Sequence, residues 1–226
     1  MIVSVHQPTF LPYLGFFRKA ALADIFVIYD CAQYSKNDWH NRNRILTPQG
    51  IEWITVPVSL HLKDTFLEAK VADFSFVEKH LAKIALSYKD APYFGEIYPA
   101  LEKIYATEKA SLAEYNWQFI AYVFSELKLS TKIVFASTLP DIQNHHGTDA
   151  LIYIAQKTGC RKYISGIDGK QYLDMEMFTT HDIEVEFNDF SPRSYPQQWT
   201  KEFVPNLSVI DALMNIGPEK TRALIT

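Results

Sequence analysis

Runs of apolar, often β-branched residues that end in polar loops recur along the chain and predict buried β-strands. The predicted strands occupy residues 2–5, 24–30, 51–60, 132–137, 161–166 and 183–189. Short runs bounded by polar or small residues are typical of strands that are covered on both faces. Pro57 interrupts the third run, which indicates an edge strand or a bulge at that point.

Segments with helical spacing of their apolar positions lie between these runs. The first helix is predicted at residues 11–22, with Pro12 in a first turn that needs no backbone donor there. A mainly helical block is predicted at about residues 74–128. A shorter helix over residues 147–159 is closed by Gly159, a residue that favours helix C-termini.

The alternation of strands and helices favours an α/β fold with three layers and a largely parallel sheet. The block at about 74–128 is expected to be a helical insertion or subdomain beside the sheet. The C-terminal residues 203–225 predict two short helices separated by Gly217 and Pro218, for core packing or a homodimer contact. Because 226 residues can bury one substantial core, we expect residues 1–226 to form a single α/β domain.

Composition and charge limit the partners and the location that we expect. The net charge of −4 at pH 7 implies no broad basic surface, so nucleic acid is not expected as a partner. No apolar run is long enough for a membrane span and no basic leader precedes the first apolar segment, which favours a cytoplasmic protein. Cys31 and Cys160 lack metal-ligand spacing and fit a reduced compartment.

Polar side chains follow four of the predicted strands. The residues at these strand ends are His6, Gln7, Asp30, Ser137, Ser165 and Lys170. Because the carboxyl ends of parallel strands meet at one edge of a sheet, we expect these residues to converge on one site. For His6 the alternative is an imidazole that only hydrogen-bonds within the domain, while the nearby prolines stiffen a turn.

Residues 30–45 form the densest polar stretch of the chain. Lysine and arginine at this density suit phosphate or carboxylate recognition, and amide side chains suit sugar hydroxyls. The candidate ligand-binding residues in the stretch are Asp30, Gln33, Trp39, Asn41 and Asn43, and the candidate catalytic cations are Lys36, Arg42 and Arg44. The alternative is an ordinary solvated loop.

Familiar motifs for covalent and phosphate chemistry do not occur in the sequence. There is no G-x-S-x-G elbow, no G-x-x-x-x-G-K-[ST] loop and no G-x-G-x-x-G fingerprint, which argues against a hydrolase triad, a P-loop and a Rossmann site. His145, His146 and Asp149 are close in sequence, but adjacent side chains rarely point at the same ion. We therefore predict no metal site there, and Asn144 or Thr148 as a helix cap.

Several longer stretches resemble the WbqC-like protein family. They are HQPTFLPYLGFFRKA, AQYSKNDWHNRNRI, WITVPV, KDAPYF, YISGIDGKQYL and PNLSVIDALMNIGPE, and together they extend from residue 2 to about 219. The motifs HQP-x-x-x-P-x-x-G and NRNRI are the most specific of them. The resemblance implies an association with genes for O-antigen and other surface-polysaccharide synthesis.

The order of strand, proline-containing loop, helix and basic segment is also similar to the nucleotidyltransferase and pantothenate-synthetase superfamily. That similarity implies a nucleotide ligand, with Mg²⁺ if a nucleotidyl group is transferred. The residues expected around the phosphates are His6, Lys36, Arg42 and Arg44, with Ser165 and Lys170 closing from the facing loop. Phe10 and Tyr13 stand where that superfamily has its phosphate-steadying histidines.

These features favour a small-molecule transferase of surface-polysaccharide (O-antigen) biosynthesis that uses a nucleotide sugar or an activated acyl or aminoacyl donor. The alternative is a non-catalytic sugar-nucleotide-binding or assembly factor of the same pathway. An enzyme should show clustered perturbed pKa values in a closed pocket, whereas an assembly factor should show an exposed apolar patch.

Overall fold

Helices and strands alternate along the chain in a computed structural model that describes residues 1–35, 38–61, 63–109 and 111–226. The strands are β1 (Ile2–His6), β2 (Ile25–Ile28), β3 (Arg42–Thr47), β4 (Gly50–Thr55), β5 (Val58–Ser59), β6 (Lys70–Val71), β7 (Lys132–Phe135), β8 (Lys162–Gly166) and β9 (Glu184–Asn188). The helices are α1 (Leu14–Leu22), α2 (Phe76–Tyr88), α3 (Phe94–Tyr105), α4 (Leu112–Glu126), α5 (Gly147–Lys157), α6 (Met175–Thr180) and α7 (Val209–Ile225).

The central sheet is parallel and has the strand order β7-β2-β1-β8-β9. Val3 of β1 lies beside Ile25 of β2 on one side and beside Tyr163 of β8 on the other. The outer strands β7 and β9 continue the sheet in the same direction. The first strand of the chain is therefore the middle strand of the sheet, and its carboxyl end lies at the centre of one sheet edge.

Helices cover both faces of this sheet, as a parallel sheet requires. Phe26 and Ile28 of β2 belong to a core shared with α1, α2, α3, α4 and α7. The alternate residues Ile25 and Val27 belong to a second core shared with α5 and α6. The two cores on either side of one sheet confirm the predicted three-layer α/β fold.

The predicted helical block and the predicted helix breaks are present. Helices α2, α3 and α4 all lie within residues 74–128. Gly159 follows α5 with a φ of 70°, the left-handed conformation in which glycine closes a helix. Gly217 has non-helical φ and ψ and divides α7 in two, immediately before Pro218.

The first helix is shorter than predicted, because α1 begins at Leu14 rather than at Leu11. Leu11 has a φ of 43°, which lies outside the right-handed helical region. Asn43 fixes this loop by donating from Nδ2 to the carbonyl oxygens of Phe10 at 3.2 Å and Leu11 at 2.7 Å. A partner more than 30 residues away therefore overrides the local helical pattern.

The polar stretch 30–45 is only partly a loop, because its last residues form strand β3. This strand pairs antiparallel with β4 and faces Arg44 with Trp53 across the hairpin. The strand predicted at 51–60 is split by Pro57 into β4 and β5, and neither joins the parallel sheet. Proline lacks the N–H that would continue the ladder, so pairing stops at this residue.

Candidate functional site

Four polar strand ends lie at one edge of the parallel sheet. His6 ends β1, Asp30 follows β2, Ser137 follows β7, and Ser165 lies at the end of β8. Because these strands are neighbours and all run in the same direction, their carboxyl ends meet at this edge. The sequence predicted this convergence, and the structure places the four strand ends as expected.

Two clefts open at this edge and meet at His6 and Gln7. The first, named here the Arg44 cleft, has a volume of about 420 Å³, and its polar lining includes His6, Gln7, Asp38, Trp39, His40, Asn43, Arg44 and Asp168. The second, named the Lys19 cleft, has a volume of about 470 Å³, and its polar lining includes His6, Gln7, Lys19, Gln33, His146, Tyr163, Ser165 and Tyr172. His6 and Gln7 thus line both of two adjacent cavities.

His6 is a neutral imidazole at the point where the two clefts meet. Its Nδ1 lies 3.0 Å from the carbonyl oxygen of Gln7, and its ring packs on Phe16 at a centroid distance of 4.7 Å. Burial, and then the nearby Lys19 ammonium, lower the pKa of His6 well below its usual value. With the proton on Nδ1, the Nε2 atom carries a lone pair at pH 7 and can accept a proton.

Gln7 is held in place by a buried histidine from the polar stretch. His40 Nε2 donates to Gln7 Oε1 at 3.0 Å, and His40 Nδ1 accepts a hydrogen bond from the Ser35 backbone N–H at 3.4 Å. Burial lowers the pKa of His40, although Asp38 opposes that shift. His40 therefore acts mainly as a neutral support that orients Gln7 toward the clefts.

Arg44 and two tryptophans form a stacked wall on the Arg44 cleft. The Arg44 guanidinium carbon lies 5.1 Å from the ring centre of Trp39 and 5.9 Å from that of Trp53. The two indole rings are themselves 5.0 Å apart. Arg44 Nη2 reaches the Asn206 carbonyl at 3.4 Å, but no described residue accepts a hydrogen bond from its buried Nε. Arg44 thus retains donor capacity for an anionic ligand.

Arg42, Asn41 and Asn43 have mainly structural contacts. The Arg42 guanidinium lies 4.5 Å above the Trp53 ring, and this residue lines neither cleft. Asn41 donates to the Val56 carbonyl at 2.7 Å, which fastens the start of the hairpin. Asn43 lines the Arg44 cleft, but its Nδ2 donates to two carbonyl oxygens of the first loop.

The Asp30 carboxylate is hydrogen-bonded to Ser137, which follows the neighbouring strand β7. Its carboxylate accepts hydrogen bonds from the Ser137 backbone N–H at 2.9 Å and from the Ser137 hydroxyl at 2.6 Å. The side chain is buried and lines neither cleft. Asp30 therefore fastens the end of β2 to the end of β7 rather than facing a ligand.

The remaining predicted site residues differ in their positions. Gln33 and Ser165 line the Lys19 cleft, where the Ser165 hydroxyl donates to the Gly166 carbonyl at 3.0 Å. Lys170 lines neither cleft, and its ammonium lies 5.4 Å from the ring centre of Phe187. Lys36 lies outside the described residues.

Lys19 is the principal site residue that sequence reasoning missed. It lies in α1 with only 8% of its surface exposed, between the fully buried Phe17 and Ala20. Burial lowers its pKa to about 8. The sequence feature that could have identified Lys19 is a lysine on the apolar face of an otherwise amphipathic helix. Asp168, which lines the Arg44 cleft, was also missed, although it lies in the stretch between Ser165 and Lys170.

No group of three or more histidine, cysteine or acidic side chains in the described ranges could hold a metal ion. His145 pairs through Nδ1 with Asp149 at 2.6 Å, while His146 occupies the N-cap position of α5 without a side-chain cap bond. The predicted caps Asn144 and Thr148 therefore do not fill that role. Among the described residues, no helix combines the length and apolarity that a membrane crossing requires.

Comparison with known proteins identifies relatives over nearly the whole chain. The model of the WbqC-like protein family matches residues 7–223. The chain is also similar to the uncharacterized protein Rv1507c of Mycobacterium tuberculosis (strain ATCC 25618 / H37Rv). The two are 33% identical over 222 residues, which cover 96% of this chain and 94% of that protein. The chain therefore belongs to the WbqC-like protein family.

Proposed function

We propose that this protein is a cytoplasmic small-molecule transferase of surface-polysaccharide (O-antigen) biosynthesis that uses a nucleotide sugar or an activated acyl or aminoacyl donor. The observation that carries the proposal is the pair of clefts that meet at His6 and Gln7. A transferase must hold a donor and an acceptor with their reacting atoms in contact, and adjacent cavities provide that arrangement.

The donor is assigned to the Arg44 cleft. Arg44 lines this cleft, and its guanidinium can form charge-assisted hydrogen bonds with a phosphate oxygen. The exposed face of Trp39 provides a stacking surface for a base or a sugar ring. Asp38 and Asp168 line the same cleft, and one or two carboxylates together with substrate phosphates suffice to hold Mg²⁺.

The proposed chemistry uses His6 as the general base. A hydroxyl or amine of the acceptor forms a bond to the transferred carbon while the bond from that carbon to the donor's leaving group breaks. The acceptor's proton moves to Nε2 of His6, and the leaving group keeps the bonding electron pair beside Arg44. The lowered pKa of His6 leaves this nitrogen unprotonated at pH 7 before the reaction, and the same shift makes it a weaker base than a solvent-exposed imidazole.

One observation favours the non-catalytic alternative. Three large apolar side chains are exposed together: Ile51 and Trp53 of β4 are 48% and 43% exposed, and Trp39, which precedes β3 and packs on Trp53, is 40% exposed. A rim of this kind suits a partner protein as well as a ligand. An assembly factor would bind a sugar nucleotide beside these side chains without transferring any group.

A thermal-shift panel tests the proposal. The panel contains UDP, UDP-N-acetylglucosamine, ATP, acetyl-CoA and a non-hydrolysable aminoacyl adenylate, with sodium chloride at matched ionic strength as the control. A donor at 100 times its dissociation constant should add about 2.7 kcal/mol to the free energy of unfolding. If no member stabilises the protein more than the chloride control does, the proposed donor site is wrong.

The positive ligands are then incubated with the protein and candidate amino and hydroxyl acceptors, and the released leaving group is quantified. Release that depends on both protein and acceptor is the expected result. Binding without release from any acceptor would favour the assembly factor instead.

A further inference from the structure

The Lys19 cleft contains a buried cation that forms no ion pair with any residue the structure describes. Lys19 Nζ donates to the Val5 carbonyl oxygen at 3.2 Å. The ion pairs formed by the described residues do not include Lys19. An ammonium has three donors, so two of them remain for other acceptors. Burial of a charge without a counter-charge is unfavourable, and a bound anion would offset that penalty.

The fold explains why this cation reaches the functional edge. Helix α1 follows β1 directly, so its N-terminus lies near the carboxyl end of β1. Side chains on a helix tilt toward its N-terminus, and the long Lys19 side chain therefore extends toward the same edge. Its ammonium reaches the carbonyl of Val5, one residue before His6.

The rest of the lining is also suited to an anion. No aspartate or glutamate of the described residues lines the Lys19 cleft, whereas Asp38 and Asp168 line the Arg44 cleft. His146 and Gly147 bring the N-terminus of the 11-residue helix α5 to the cleft, without a side-chain cap on its N–H groups. Those groups and the helix dipole favour negative charge.

Two tyrosines add neutral donors. Tyr163 and Tyr172 line the same cleft, and burial raises the pKa of both hydroxyls, so they keep their protons at neutral pH. A hydroxyl that keeps its proton can donate to an oxyanion.

We propose that the Lys19 cleft binds the oxyanion of a small molecule, a carboxylate or a phosphate group, with Lys19 as its charged partner. The site goes beyond the proposed transferase function, because it holds an anion whether or not any group is transferred. The ligand's anionic group would lie between the Lys19 ammonium and the start of α5. The two sources of oxyanion are distinguished by separate probes.

The test compares the parent protein with Lys19→Met and with Lys157→Met, which removes an exposed lysine at the far end of α5. Sodium phosphate and sodium acetate are titrated separately against chloride at constant ionic strength, and unfolding temperature is measured. We expect one or both probes to stabilise the parent and Lys157→Met, with a dissociation constant about tenfold or more weaker for Lys19→Met. Phosphate alone, or acetate alone, identifies the chemical class of the ligand.

Equal stabilisation of the parent and Lys19→Met by both anions, or stabilisation of neither, would overturn the assignment. A second measurement needs no substitution and covers the case in which Lys19→Met does not fold. The NMR titration of ¹³Cε-labelled lysine in the parent should show the Lys19 pKa rising in the binding anion relative to chloride. An unchanged Lys19 pKa in both anions contradicts the proposal.

Discussion

His80 is a buried imidazole whose two nitrogens are both used within the fold. Its Nε2 accepts a hydrogen bond from the Thr55 backbone N–H at 3.1 Å, and its Nδ1 lies 3.3 Å from the Tyr105 hydroxyl. This arrangement requires the neutral ring with the proton on Nδ1. Burial, together with the Lys83 ammonium, lowers the pKa of His80 to about 4. The side chain thus joins hairpin strand β4 to helices α2 and α3 only while it is uncharged.

The protein should therefore lose stability in mild acid. The pKa of His80 is lower in the folded than in the unfolded chain, so its contribution is fully present above pH 6.5 and is lost as the pH falls toward 4. Between pH 7.5 and pH 5 this loss is about 2 kcal/mol. Urea unfolding of the parent and of His80→Gln at both pH values measures it. The parent should lose about 2 kcal/mol more than the variant, and equal losses would show that His80 is not responsible.

At the level of single residues, sequence reasoning identified polar types but not their partners. Arg44 and Trp39 are predicted because polar and aromatic residues are dense in residues 30–45, and His6 and Gln7 because they follow the first strand. All four line a cleft. Asp30 was chosen by the same reasoning, yet its partner Ser137 lies 107 residues away and satisfies the carboxylate. Local sequence cannot show whether a polar group is already satisfied by a distant one.

The break in helix α7 depends on one glycine. Gly217 has a φ of 77° and a ψ of 169°, a region that is essentially restricted to glycine. A Cβ at this position would lie 2.4 Å from the Tyr93 ring. Both the backbone conformation and the close ring exclude a larger residue.

Gly217→Ala should destabilise the protein by about 2–5 kcal/mol, from backbone strain and overpacking together. The matched control is Gly95→Ala in α3, where an added Cβ meets nothing within 4 Å. That control should stabilise the helix by about 0.5–1 kcal/mol, because alanine favours helices more than glycine does. The free energy of unfolding in urea measures both. A Gly217→Ala variant as stable as the parent would rule out the proposed constraint.

At the level of elements, buried parallel strands were predictable and the hairpin was not. The inner strands β2, β1 and β8 are covered on both faces, so they appear as short apolar runs. In strand β3 the arginines are partly exposed and the buried position between them is Asn43. Because a polar residue occupies a buried position, the usual alternation of apolar and polar residues is absent there. Its assignment depends on pairing with β4, which a single-segment pattern does not reveal.

At the scale of the whole molecule, the net charge of the chain differs from the charge around the two clefts. The chain has a net charge of −4. This value does not show which charged side chains lie at the carboxyl edge of the sheet. At that edge, the fold brings Lys19 from α1 and Arg44 from β3 to two clefts that meet at His6. In the Lys19 cleft, which no described carboxylate lines, this local positive charge attracts anionic ligands even when the net charge is negative.

The central claim is that an anionic donor binds at this edge in the Arg44 cleft. Isothermal titration of the nucleotide or nucleotide sugar that gives the largest thermal shift tests it most directly, with the parent, Arg44→Ala and Arg161→Ala. Arg161 is an exposed arginine directly before β8, at the opposite, amino edge of the sheet. Loss of a charge-assisted bond at Arg44 should raise the dissociation constant about tenfold or more, while Arg161→Ala leaves it unchanged. The same dissociation constant for all three proteins would contradict the account.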